Sequence, residues 1–143
     1  MPVAVKRVYE SISRRDGTRV LVDRLWPRGL RKAEAGVHEW LRDLSPSNAL
    51  RKWFHAQPEL WSAFRKRYLK ELAQPEAQTD LQRLYKLALG KKALTLLFAS
   101  KNEEHNNAVV LKGLLDGMRK PPTGTGSGRL RAARTREAAV RRR

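Results

Sequence analysis

The chain has 143 residues, 41% of them apolar, enough for one domain with a buried core. It carries 31 Lys or Arg against 14 Asp or Glu, a net charge of +17, and a field of that sign attracts nucleic acid, phosphorylated metabolites or an anionic membrane surface. There is no cysteine, which excludes disulfides, thiolate zinc sites and a thiol nucleophile, and no apolar run approaches the roughly 18 to 20 residues of a membrane span.

Met1 to Arg7 lacks a signal-peptide core, so a cytoplasmic location is expected by default. Val3 to Val8 alternates well enough for a first strand, and Ser11 to Thr18, with Asp16-Gly17, reads as a turn or loop. The Tyr9 to Thr18 connection is at the lower limit of about ten to twelve residues for a parallel crossover, which leaves the pairing of the first two strands open. Val20 to Val22 reads as a buried strand, and Asp23, Arg24 and Arg28 follow at or just beyond its C-terminal end.

Three or four helical segments are expected after Gly29. Val37 to Leu44 is a short one ending before Pro46, and Ser47 or Asn48 caps the next, with Leu50, Trp53 and Phe54 on one face. Pro58 is placed as the first residue of a helix that buries Leu60, Trp61, Phe64, Tyr68 and Leu72. Pro75 opens another, with Ala77, Leu81, Leu84, Tyr85 and Ala88 inward and Gly90 as a left-handed C-cap. Trp40, Trp53, Trp61, Phe64 and Tyr68 all fall on helical apolar faces, which reads as core packing rather than as exposed stacking platforms.

Leu94 to Phe98 is an apolar run suited to a strand covered on both sides. Ser100-Lys101-Asn102-Glu103 has capping-box spacing and predicts a helix over about 101–118, with Ala108, Leu111, Leu115 and Met118 as its stripe. Residues 119–143 hold nine basic residues against one acidic, a net of +8, while the 22 basic and 13 acidic residues of 1–118 leave +9. The division expected is therefore a globular domain over 1–118 and a Gly/Pro-rich linker with an Arg-rich disordered tail over 119–143. Arg129, Arg131, Arg134, Arg136, Arg141, Arg142 and Arg143 are candidates for gripping nucleic-acid phosphates; the alternative is a solubilising tail without a partner.

The two apolar runs that end abruptly in polar residues are expected to be neighbouring strands of a small, mostly parallel sheet of three to four strands, covered by about five helices. Ligands bind outside the C-terminal ends of the strands in such sheets. Asp23, Arg24 and Arg28 should then lie within one ligand's reach of Lys101 and His105. Asp23 could act as a general base or orient Arg24, and Arg28 could clamp a phosphate or carboxylate; the plainer reading is a structural Asp-Arg pair. His105 could be an acid, a base or a hydrogen-bond donor, with Asn106 and Asn107 orienting the ligand. Glu103 and Glu104, read as occupying the positive end of the helix dipole, weaken the case for phosphate binding there. His38 and His55 are read as surface residues. No metal site is expected, because Glu104-His105 lacks the second histidine of a helical zinc motif, and no Gly-rich phosphate loop or cofactor signature is present.

Three blocks, VDRLWPRG (Val22 to Gly29), LRKWF (Leu50 to Phe54) and LLFASKNEEHNNAVVL (Leu96 to Leu111), resemble in order the YeaO-like branch of the bacterial domain of unknown function family 488. The resemblance covers about residues 3–116. It implies a small cytoplasmic α/β domain with a mostly parallel sheet and no established activity. Other branches of that family are similar around the second block but carry Cys-Ala-Glu after the strand and Cys-His-Arg in the helix. The matching positions here read Phe98-Ala99-Ser100 and Asn106-Asn107-Ala108, so cysteine chemistry does not transfer. Two functions follow as expectations: an anionic small molecule, such as a nucleotide or phosphorylated metabolite, bound or turned over at the strand ends, or an accessory protein that binds nucleic acid through its basic surface and tail.

Overall fold

Four parallel strands lie at the centre of the structure, a computed structural model that describes residues 3–118. The expected linker and tail, with their arginines, lie outside the described residues. The strands are β1 (Val3–Arg7), β2 (Thr18–Leu21), β3 (Glu39–Trp40) and β4 (Leu94–Phe98), in the order β1-β4-β2-β3. β4 takes the middle because its five residues are all buried, and it pairs on both edges, Arg7 opposite Phe98 on one side and Leu21 opposite Leu97 on the other. The open question about the first two strands resolves here: they are parallel and do not touch, since β4 separates them.

Five α-helices accompany the sheet: α1 (Lys32–Ala35), α2 (Asn48–Ala56), α3 (Trp61–Leu72), α4 (Pro75–Leu89) and α5 (Asn107–Gly117). Alternate residues of a strand point to opposite faces, which divides the core in two. Val20, Val22, Leu94, Leu96 and Phe98 join the larger core, built with residues from α2 to α5. Leu21 and Leu97, with Val8 and Ala35, form a smaller cluster covered by Trp26, Leu30 and Trp40.

Four local expectations are corrected. Val37 to Leu44 is no helix: it contains β3 and a 3-10 turn over Arg42–Leu44, so Trp40 lies on a strand. The helical spacing is overridden by the sheet edge, where His38 N–H donates to Arg19 O and Leu41 N–H to Leu21 O, both at 2.9 Å. Pro58 does not begin α3; it sits in a turn closed by Leu60 N–H on Gln57 O, and the helix starts at Trp61. Gly90 ends α4 in an extended conformation, φ −70°, rather than left-handed. α5 begins at Asn107, not near Lys101, because Asn102 Oδ1 accepts from the N–H groups of Glu104 and His105 and offers the backbone a turn instead. Asn106 then takes the N-cap role expected of Ser100, accepting from Val109 N–H at 3.0 Å.

Beneath the sheet's N-terminal half lies a buried charge network that periodicity does not reveal. Arg19 is only 1% exposed; its guanidinium donates to Gly36 O, Ala35 O and the Asp16 carboxylate, which also takes Lys6. Burial pushes the Asp16 carboxyl up, but hydrogen bonds from Ser13 N–H, Lys6 and Arg19 outweigh it and hold it below the usual carboxylate range. Gly17, at φ +64°, turns the chain into β2, and a Cβ there would stand 2.2 Å from Ala93 O.

Candidate functional site

β1, β2 and β4 end at the same level, and the chain leaves each of them through a loop wired by side chains. After β2, Val22 N–H still donates to Leu97 O at 3.2 Å, and Asp23 follows at the rim. Asp23 joins three elements there. Its Oδ2 accepts from Ala99 N–H at 2.9 Å, at the exit of β4, and its Oδ1 from the Asn107 side-chain amide at 3.0 Å, at the start of α5. Its own carbonyl accepts from Trp40 Nε1 at 2.7 Å. Burial pushes the Asp23 carboxyl above its ordinary value, against the lowering effects of Asn107, Ala99 and the charge of Arg51.

The loop after Asp23 is held as firmly. Trp26 Nε1 donates across it to Leu30 O at 2.6 Å, and the Trp26 ring meets Trp40 edge-on, with centroids 5.4 Å apart. Tyr9 hydroxyl, at the exit of β1, donates to Arg28 O at 2.8 Å, and Gly29 at φ +83° lets the chain turn back. The loop after β4 is pinned by Arg7, whose guanidinium donates to Ala99 O and to Ser100 O, the latter at 2.9 Å. These contacts fix the backbone around the strand ends.

Between the loops lies an open cleft of about 700 Å³, within the size range of small-molecule sites. Asp23, Arg24, Arg28, Lys101, His105, Asn106 and Asn107 all line it, so the two sequence clusters, about eighty residues apart, meet in one place. They do so in different settings. Asp23 is tied up as described, and its carboxylate forms no ion pair with Arg24. Arg24 is half-buried, and its Nε is buried without a hydrogen-bond partner. Arg28 and Lys101 are exposed. His105 lies flat on Trp61, with ring centroids 4.5 Å apart and planes 10° apart. Asn106 caps α5, and Asn107 donates to Val22 O as well as to Asp23.

One reading changes with the later start of α5. Glu103 and Glu104 lie in the loop, and the first turn of α5 contains no acidic residue, so they do not occupy its positive end. His38 and His55 are both exposed, as the sequence suggests; His38 Nδ1 accepts from Arg19 N–H at 2.9 Å, and His55 also lines the cleft. Sequence reasoning missed Arg51, Phe54 and Phe64 as cleft residues, although Arg51, Phe54 and His55 share the i, i+3, i+4 spacing that puts them on one side of α2.

The charge of the lining is one-sided. Arg24, Arg28, Arg51 and Lys101 face one carboxylate, Asp23, a balance of +3 before the histidines. Among the described residues no group of His, Asp or Glu is arranged to hold a metal ion, and no helix is long and apolar enough to cross a membrane.

Comparison with known proteins bears on the same residues. The family model described as the inactive DUF488-N3 subclade matches residues 2–123. The chain is similar to the uncharacterized protein YeaO of Escherichia coli strain K12, with 45% identity over 111 residues, 78% of this chain and 94% of that protein. It is 43% identical over 115 residues to the uncharacterized proteins Mb3100c of Mycobacterium bovis and Rv3073c of Mycobacterium tuberculosis, covering 80% of this chain and 94% of each. No solved structure matches it significantly.

Proposed function

The chain belongs to the inactive DUF488-N3 subclade, and from that premise we propose that it binds a small phosphate-bearing metabolite at the C-terminal edge of its sheet, without turning it over. Arg24 carries this reading. A guanidinium nitrogen shut away from water with no acceptor is costly, and buried polar groups are nearly always paired. The rest of the Arg24 side chain is half-exposed and lines the cleft, so an anion bound there, with a small turn of the side chain, supplies the acceptor that no protein atom provides.

The surroundings favour the same ligand. Arg28, Arg51 and Lys101 add charge without a carboxylate partner among the ion pairs of the described residues. Cations gathered in a cleft focus the field and raise the local concentration of anions. Against turnover, the Asp23 carboxylate accepts from two fixed structural donors, and the His105 ring is stacked on Trp61. A general base needs a free lone pair within reach of the proton it takes, and Asp23 serves better as the joint that holds the cleft open.

The test is thermal unfolding of the full chain with pyrophosphate, ribose 5-phosphate and citrate, beside the Arg24→Gln variant. A ligand at a hundredfold excess over its dissociation constant adds about 2.7 kcal/mol, which raises the melting temperature by several degrees. The phosphates should stabilise the wild type and not the variant. Equal shifts in both proteins would remove Arg24 from the site, and no shift with any anion would end the proposal.

A further inference from the structure

The cleft pairs its cations with flat apolar surface, and the two are interleaved. On α2, Arg51, Phe54 and His55 follow one another at helical spacing, so a charge, an aromatic ring and an imidazole share one side of one helix. Phe54 stacks on Phe64, with centroids 4.3 Å apart and planes at 22°. Trp61 covers one face of the His105 imidazole, and the rest of that ring lines the cleft. Pro46 and Pro58 add rigid apolar surface beside them.

This goes beyond what an anion alone would call for. A site for inorganic phosphate needs donors and little room, whereas this one offers about 700 Å³. Rings already held by stacking on other rings lose little freedom when a further ring is laid on them, so the contact is preorganised. Base-on-aromatic stacking is tolerant of ring identity, because every base has a π-face.

Resting on the phosphate reading above, we infer that the ligand is a phosphate ester of a planar ring system, of the nucleoside monophosphate class. Its phosphate meets Arg24 and Arg51, and its ring lies against the Phe54 and His105 surfaces, with buried Phe64 backing Phe54. Arg51 stands beside both ends, one helical turn from Phe54 and close enough to Asp23 to influence its ionisation.

Calorimetric titration of the full chain at low salt decides it, with the four common ribonucleoside 5′-monophosphates and ribose 5-phosphate as probes. The tightest nucleotide should bind at least about tenfold better than ribose 5-phosphate, a difference of about 1.4 kcal/mol. Phe54→Leu, which keeps an apolar side chain but removes the flat ring, should erase most of that advantage while leaving ribose 5-phosphate binding unchanged. Arg24→Gln should weaken every phosphate probe. Equal affinity for nucleotides and ribose 5-phosphate on the wild type would overturn this inference and leave the phosphate reading standing. Absence of binding by every probe, or indifference to Arg24→Gln, would overturn both.

Discussion

Asn107 donates its side-chain amide to Asp23 Oδ1 at 3.0 Å and to Val22 O at 2.9 Å, closing a contact between residues 84 apart in the sequence. The first residue of α5 is thereby locked to the end of β2. With Ala99 N–H on the other carboxylate oxygen, the pair sets the spacing between the two loops that form the cleft.

Removing that lock should be costly out of proportion to its size. Asn107→Ala leaves a partly buried carbonyl and a carboxylate oxygen without their donor, at about 1 to 3 kcal/mol. Asn107→Asp should cost more at neutral pH, because it sets a second carboxylate against Asp23, and part of that excess should return in acid. Urea unfolding at two pH values measures both, and a variant as stable as wild type would show the contact to be incidental.

Asp23 should give stability an uncommon pH component. Its folded pKa is raised, so the folded state holds more protons than the unfolded one between the two values. The stability it contributes therefore rises as pH falls through the folded pKa and is complete below the unfolded value of about 3.9. Asp16 and Glu39, whose carboxyls are lowered, run the other way: their stabilisation is present above the unfolded values and lost as pH falls through the folded ones. The stability of wild type relative to Asp23→Asn should thus rise as pH is lowered from neutral towards the unfolded value of about 3.9. A constant difference would contradict the raised pKa.

Two arginines separate structure from binding. Arg19→Ala strips a partner from a buried ion pair and should cost about 3 to 5 kcal/mol. Arg28→Ala removes an exposed side chain in a loop held through its backbone by Tyr9, and should stay within about 0.5 kcal/mol. Comparable losses for both would mean that Arg28 pairs within the fold.

Gly17→Ala tests the turn into β2. The positive φ and the 2.2 Å approach to a backbone carbonyl leave no flexible side chain to move aside. At φ +64° and ψ −132° the backbone lies outside the left-handed helical well, a strain of about 1 to 3 kcal/mol for alanine, and the clash adds to it. A melting temperature equal to wild type would mean that β4 can shift to accommodate the methyl group.

The parts of this architecture that sequence reveals are those set by local chemistry. Leu94 to Phe98 is apolar but for Thr95, so burial on both faces followed directly, as did the meeting of its exit loop with that of β2. α2 began where Ser47 could cap it, and α4 at Pro75. What escaped notice depended on partners distant in the chain. β3 exists because β2 has an open edge, and Arg19 is buried because Gly36 and Ala35 present carbonyls to it. Phe54 and Phe64 were recognised as core-facing, yet periodicity does not tell a core from a cleft wall. Arg51 borders the apolar face of α2, one turn from Phe54, and only the position of α2 over the strand ends brings it to the cleft.

The central claim, that Arg24 holds a phosphate, is tested most directly at the nitrogen concerned. In a nitrogen-proton correlation spectrum of the full chain, the Arg24 Nε–H signal can be identified by its loss in Arg24→Lys. Hydrogen bonding to a charged oxygen is stronger than to a neutral one and moves such a proton downfield. On titration with ribose 5-phosphate, this signal should shift downfield and saturate along the same curve as the calorimetric binding. A signal that stays in place while the phosphate binds elsewhere, or while no binding occurs, would contradict the account.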